Sequence, residues 1–123
     1  NQKGALYEFS KIEKPIASKI LKTECLRTLD RLRVSAYLDE DEYILAVEQF
    51  YIGLDSIELI DLNDLILDRA AASFGLPLGT LDAIHLTSAL VWLEIKKQPL
   101  VFLTHDDQLG KAAKASGFQV LGC

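Results

Sequence analysis

The sequence predicts an α/β fold in which helices cover both faces of a parallel sheet. Three observations carry that prediction. From Pro15 onward, short apolar runs alternate with amphipathic stretches; turn residues bound the runs; and every run but the last leads into a helix start. In sheets of this kind ligands bind beyond the carboxyl ends of the strands, so residues that open the following helices are the ones to examine for chemistry.

The elements follow in order. The stretch 5–11 reads as a short helix. Pro15-Ile16-Ala17 is an apolar strand, and Ser18 is a helix N-cap residue. Leu21, Cys25, Leu29 and Leu32 recur at spacings of four, four and three, the stripe of an amphipathic helix. Asp39-Glu40-Asp41-Glu42 concentrates acids where a helix N-terminus favours them, and that helix runs to about Ile52, where Gly53 stops it. Ile57-Glu58-Leu59-Ile60 is a strand, and 62–74 is a helix ended by Gly75 and Pro77. Thr80 caps a helix that runs to about Lys96. Leu100-Val101-Phe102-Leu103 is a buried strand, 106–116 is a helix ended by Gly117, and Phe118-Gln119-Val120-Leu121 is the last strand.

With 123 residues, half of them apolar and a quarter charged, the chain reads as one domain able to bury a core. No apolar run approaches the ~20 residues a membrane span needs. Asn1-Gln2-Lys3-Gly4 lacks the charged-then-apolar order of a signal peptide, which predicts a cytoplasmic location. Cys25 and Cys123 have no metal-like spacing and read as free thiols of a reducing compartment.

The net charge of −5 argues against general nucleic-acid binding, but the charge is unevenly spread. Residues 1–33 carry +4, residues 34–95 carry −11 and residues 96–123 carry +2. The two ends, which hold Glu24 and Asp106, are therefore locally basic. The acidic middle reads equally well as a solvated helical layer.

Three acids stand out by position. Asp82 and Asp106 each lie where the chain enters a helix, and Glu24 lies at the edge of the first apolar stripe, one position from Cys25. Taken singly, Asp82, Asp106 and Asp107 serve as residues favoured by the helix dipole or as caps, and Glu24 as a surface glutamate. Taken together at one end of a parallel sheet, they would repel and raise one another's pKa unless a cation lay between them. Hard cations such as Mg²⁺ take oxygen ligands, keep several waters and need only one or two direct carboxylates. Such an ion activates water and offsets charge on a phosphate. His85, three residues after Asp82, reads as a ligand or as a hydrogen-bonded packing histidine; His105 sits on a turn. Arg27 and Arg31 share a helix face with Glu24 and either hold phosphates or pair locally with Asp30 or Glu24. There is no zinc-type Cys/His spacing, no glycine-rich phosphate loop and no serine-nucleophile elbow.

On these residues the chain resembles the PIN-domain ribonucleases, and within them the VapC-type toxins of type II toxin–antitoxin pairs. Ser18-Lys19-Ile20-Leu21-Lys22-Thr23-Glu24-Cys25-Leu26-Arg27 looks like the family's second-acid helix. Asp82-Ala83-Ile84-His85-Leu86-Thr87-Ser88-Ala89 looks like its third-acid segment. Thr104-His105-Asp106-Asp107-Gln108-Leu109 and the following Lys111-Ala112-Ala113-Lys114-Ala115-Ser116-Gly117 look like its fourth. Each motif is short; their order and separation carry the resemblance.

The resemblance implies a three-layer α/β/α domain with a parallel sheet of four or five strands. It implies Mg²⁺- or Mn²⁺-dependent cleavage of single-stranded RNA, in VapC-type toxins often a structured RNA such as tRNA. By matched position Glu24, Asp82 and Asp106 would be metal-site and catalytic acids, Asp107 an auxiliary metal ligand and Thr104 a supporting hydrogen-bonding residue. Arg27 and Arg31 would bind substrate. It further implies a homodimer and inhibition by a small antitoxin protein. The family's first acid ends a central strand in an Asp-Thr/Ser context, and no such segment occurs in 1–123. The expectation is therefore a PIN-like domain without its first strand, which would hold the ion weakly and cut poorly. A non-catalytic PIN-like scaffold that binds a protein partner is the alternative. A receiver-like or nucleotide-binding domain is weaker, since it needs a phosphate loop or a first-strand acidic pocket.

Overall fold

The structure, a computed structural model, describes residues 14–123. The predicted helix at 5–11 lies outside the described residues. Strand β1 (Ile16–Ser18) leads into helix α1 (Ile20–Val34), and a short turn connects this to α2 (Glu40–Leu54). Strand β2 (Glu58–Ile60) and α3 (Asp64–Ala70) follow, then α4 (Thr80–Lys96), β3 (Val101–Leu103), α5 (Asp107–Ala115) and β4 (Gln119–Leu121). The chain is thus a mixed α/β protein with short parallel strands and, among the described residues, five helices.

The strands form two parallel ladders. In the first, Ile16, Ala17 and Ser18 lie opposite Glu58, Leu59 and Ile60; in the second, Val101, Phe102 and Leu103 lie opposite Gln119, Val120 and Leu121. Among the described residues these ladders are separate two-stranded units, where alternation of strands and helices predicts one sheet. Alternation specifies parallel pairing through helical crossovers, but it does not say which edges meet.

Local chemistry sets several boundaries differently from the sequence reading. Ser18 is buried as the last residue of β1, held by its register with Ile60; its Oγ accepts a hydrogen bond from Ile20 N at 3.3 Å, and helix α1 starts after Lys19 without a side-chain cap. Thr80 is the first residue of α4 and Gly79, in extended backbone, is its N-cap. Helix α3 is confined to seven residues, with Asn63 Oδ1 accepting from Ile66 N at 2.9 Å at its start. By contrast α2 has a full capping box: Asp39 Oδ1 accepts from Glu42 N at 2.7 Å, and Glu42 Oε1 accepts from Asp39 N at 2.9 Å.

The core lies where α4 and α5 meet β3 and β4. Leu86, Leu109, Ala112, Ala113 and Phe118 are buried together, with Phe102 and Val120 packed against them. Small residues Ala112 and Ala113 let α5 approach closely, and the Phe102 and Phe118 rings meet with centroids 5.7 Å apart. Helix α4 runs through this core with seven buried residues, whereas α1 and α2 bury none completely. The α1–α2 pair is therefore a half-buried layer beside a firm centre. Among the described residues no helix is long and apolar enough to cross a membrane.

This division predicts unequal costs for truncation. Leu86→Ala, at a side chain 0% exposed, should lower stability by about 2–5 kcal/mol in urea unfolding. Ile52→Ala, at a side chain 73% exposed on α2, should change it by no more than about 0.5 kcal/mol.

Candidate functional site

Glu24 lies in α1, the helix that follows β1; Asp106 lies on the β3–α5 connection, and the first turn of α4 carries Asp82. Asp82 is half-buried. Its carboxyl is held above the ordinary aspartate range, first by burial and then by the negative charge of Asp106; His85 opposes the shift and Glu24 adds to it. Two carboxylates from separate parts of the chain thus act on Asp82.

His85 completes the cluster. One helical turn after Asp82, its Nε2 meets Glu24 Oε1 in a direct hydrogen-bonding contact, with the side chains only 20% and 28% exposed. This contact fixes where the Glu24 carboxylate lies and joins α1 to α4. It spans 61 residues of sequence, so no local spacing announces it. The helical register placing Asp82 and His85 on one face is the only sequence signal for it.

Asp106 is the N-cap of α5 rather than a first-turn residue, and its Oδ1 accepts from Leu109 N at 2.9 Å. Its own N–H donates to Thr104 Oγ1 at 3.1 Å, so Thr104 sets the loop that presents it. The carboxyl-terminal residues brace the same loop. His105 Nδ1 meets Gly122 O at 2.8 Å, and Cys123 Sγ lies 3.0 Å from Thr104 O as a thiol donor. Gly122 has φ +97°, and a Cβ there would stand 2.5 Å from Thr104 O. Only glycine combines that backbone with so close an approach.

The remaining predicted residues lie apart from this cluster in their contacts. Asp107 is exposed at the start of α5. Arg27 Nη1 reaches Asp30 Oδ2 at 3.1 Å, and Arg31 Nη2 donates to Thr28 Oγ1 at 3.3 Å, so both arginines are engaged along α1 itself. Cys25, in the apolar wall beside Glu24, has its thiol pKa raised by burial and then by the Glu24 charge.

Among the described residues no three or more His, Cys, Asp and Glu side chains close into a ready-made metal shell. The donor chemistry nonetheless fits a hydrated hard cation, which needs only one or two direct carboxylates and is drawn to opposed negative charge. Asp82 and Asp106 would be the residues to hold such an ion; Glu24, which also acts on Asp82, meets His85. Beside this group lies an open cavity of about 690 Å³ between α1, α2 and α4, with Glu24, Asp82 and His85 in its wall. Compared with protein-family models, curated proteins and solved structures, the chain matches none of them.

Two outcomes follow from this geometry. Because the folded state raises the Asp82 pKa, it holds that proton more tightly than the unfolded chain does, and stability falls as pH rises from the ordinary aspartate pKa through the raised one. Asp82→Asn should therefore melt at a higher temperature than the wild type at pH 7, and the difference should vanish as pH falls towards about 3.9. Gly122→Ala should lose about 1–3 kcal/mol in urea unfolding through backbone strain and the clash with Thr104 O.

Proposed function

We propose that this protein is a PIN-like, metal-dependent endoribonuclease of the VapC type, which cleaves RNA phosphodiester bonds as the toxin of a type II toxin–antitoxin pair. The observation that carries the reading is the action of the Asp106 and Glu24 charges, from two other helices, on the half-buried Asp82. A half-buried acid near other acids is costly without a counter-charge, and a divalent cation is the counter-charge that suits oxygen donors and can also bind a phosphodiester.

In this reading Asp82 and Asp106 hold Mg²⁺ or Mn²⁺, with Asp107 as an outer acid. When bound, the ion neutralises the scissile phosphate and eases deprotonation of the attacking water. Glu24, oriented by His85, accepts a hydrogen bond from that water and aligns it with the phosphorus. Thr104 keeps Asp106 in place through its N–H. Arg27 and Arg31, exposed on α1, meet the RNA backbone outside the acids when they leave their local partners.

The same reading treats the two ladders as the flanks of one parallel sheet in a three-layer α/β/α domain. Supporting it, β1 and β3 each lead into a helix that carries or is capped by one of the acids, and each has an unpaired edge among the described residues. A strand between them would unite the two ladders into one five-stranded sheet.

Partners belong to the proposal too: an RNA such as tRNA, a second copy of the chain and a small antitoxin, all in the cytoplasm. The outer face of α2 supports a protein contact, since Ile44, Leu45, Tyr51 and Ile52 are exposed there. That face equally favours a non-catalytic scaffold that binds a protein partner, and activity separates the two readings.

The test is incubation of a tRNA pool with the protein in Mg²⁺ or Mn²⁺, with EDTA as control. Cation-dependent fragments that disappear with EDTA and fall to background in Asp82→Asn and Asp106→Asn are expected. Undiminished cleavage by Asp82→Asn would contradict the assignment.

A further inference from the structure

We infer that the cavity between α1, α2 and α4 receives a nucleobase of the RNA strand whose phosphate lies at the acids. The inference rests on the ribonuclease reading and adds where the substrate's base goes. Glu24, Asp82 and His85 form part of the cavity wall, so a phosphate at the acids carries its own or the next base directly to this surface. A second cavity, about 520 Å³ beside α3 and the start of α4, has none of these acids in its lining.

The lining selects the chemistry of the occupant. Leu21, Cys25 and Leu29 of α1 and Ala46 and Phe50 of α2 make an apolar cleft, within the size range of small-ligand sites. The lining contains no Lys or Arg, while Glu24 and Asp82 stand at one side. A second phosphate is therefore repelled, and an uncharged flat group is accepted. Phe50 is half-buried, and its ring meets Tyr51 edge-on with centroids 5.8 Å apart, which steadies it as a stacking surface.

Two neutral polar side chains suit the edge of a base. Gln49, exposed in the lining, offers both a donor and an acceptor. Thr28 Oγ1 accepts from Arg31 and keeps its own hydroxyl hydrogen to donate. Apolar walls with an aromatic ring and neutral polar side chains, beside the acids proposed to engage a phosphate through a cation, suit a nucleobase better than an aliphatic side chain of a peptide. Cleavage would then depend on the base beside the scissile bond.

The test uses short oligoribonucleotides carrying 2-aminopurine at successive positions, titrated with the full chain in Ca²⁺, with fluorescence as the readout. One position should be quenched on binding. Phe50→Leu and the cavity-filling Ala46→Leu, both checked for folding by circular dichroism, should bind about tenfold more weakly and lose the quenching. An oligonucleotide abasic at that position should bind wild type and variants alike. Equal affinity of wild type and both variants for the base-bearing strand would overturn the inference, as would the absence of binding. Quenching that is absent while a leucine-rich peptide displaces the strand would also overturn it, in favour of a peptide occupant. None of these readouts needs cleavage, so an inactive but base-binding protein would count against the ribonuclease reading and not against the cavity.

Discussion

Asp82 stands half-buried within the fields of Asp106 and Glu24, a position in which its charged form is disfavoured. An isolated helix start tolerates an acid easily, because the dipole there favours negative charge. What differs here is that two acids from other parts of the chain, Asp106 at the N-cap of α5 and Glu24 inside α1, act on Asp82. The rest of the structure can be understood from how it maintains that arrangement: a packed centre around α4 holds Asp82, a braced loop holds Asp106, and His85 holds Glu24. Each support uses a different interaction, namely apolar burial, backbone hydrogen bonding with a glycine-only approach, and a side-chain pair.

The surrounding architecture divides the labour. The α4–α5–β3–β4 core is densely buried and fixes the two aspartates, whereas α1 and α2 are half-buried and leave a cleft beside the glutamate. In the proposed function, the firm side would position the acids and the looser side would admit part of the RNA. Helix α2 carries acids in its first turn and exposes Ile44, Leu45, Tyr51 and Ile52.

Much of the fold was legible because its signals are local. The Asp39 capping box, the glycine after α5 and the four apolar strands each act within a few residues, and the element order follows from them. Boundaries shifted where tertiary pairing overrode local preference: Ser18 has good capping chemistry, yet its register with Ile60 keeps it in β1. The partition into two ladders was not legible, since strand pairing joins residues about forty positions apart in the first ladder. At the site, Asp82 and Asp106 could be named from their place at helix starts, but those same places make them caps, and Asp106 does cap α5. The Glu24–His85 contact and the cleft beside it arise from α1 meeting α4 and α2, which no spacing within one helix encodes.

The central claim is that Glu24, Asp82 and Asp106 together attract a divalent cation, and the acidic start of α2 makes a built-in comparison. Paramagnetic broadening of backbone amide signals by Mn²⁺, added in substoichiometric amounts and reversed by excess Mg²⁺, tests it most directly. The account predicts broadening centred on Glu24, Asp82, His85 and Asp106. Broadening confined to Glu40, Asp41 and Glu42, or spread evenly over the acidic surface, would contradict it.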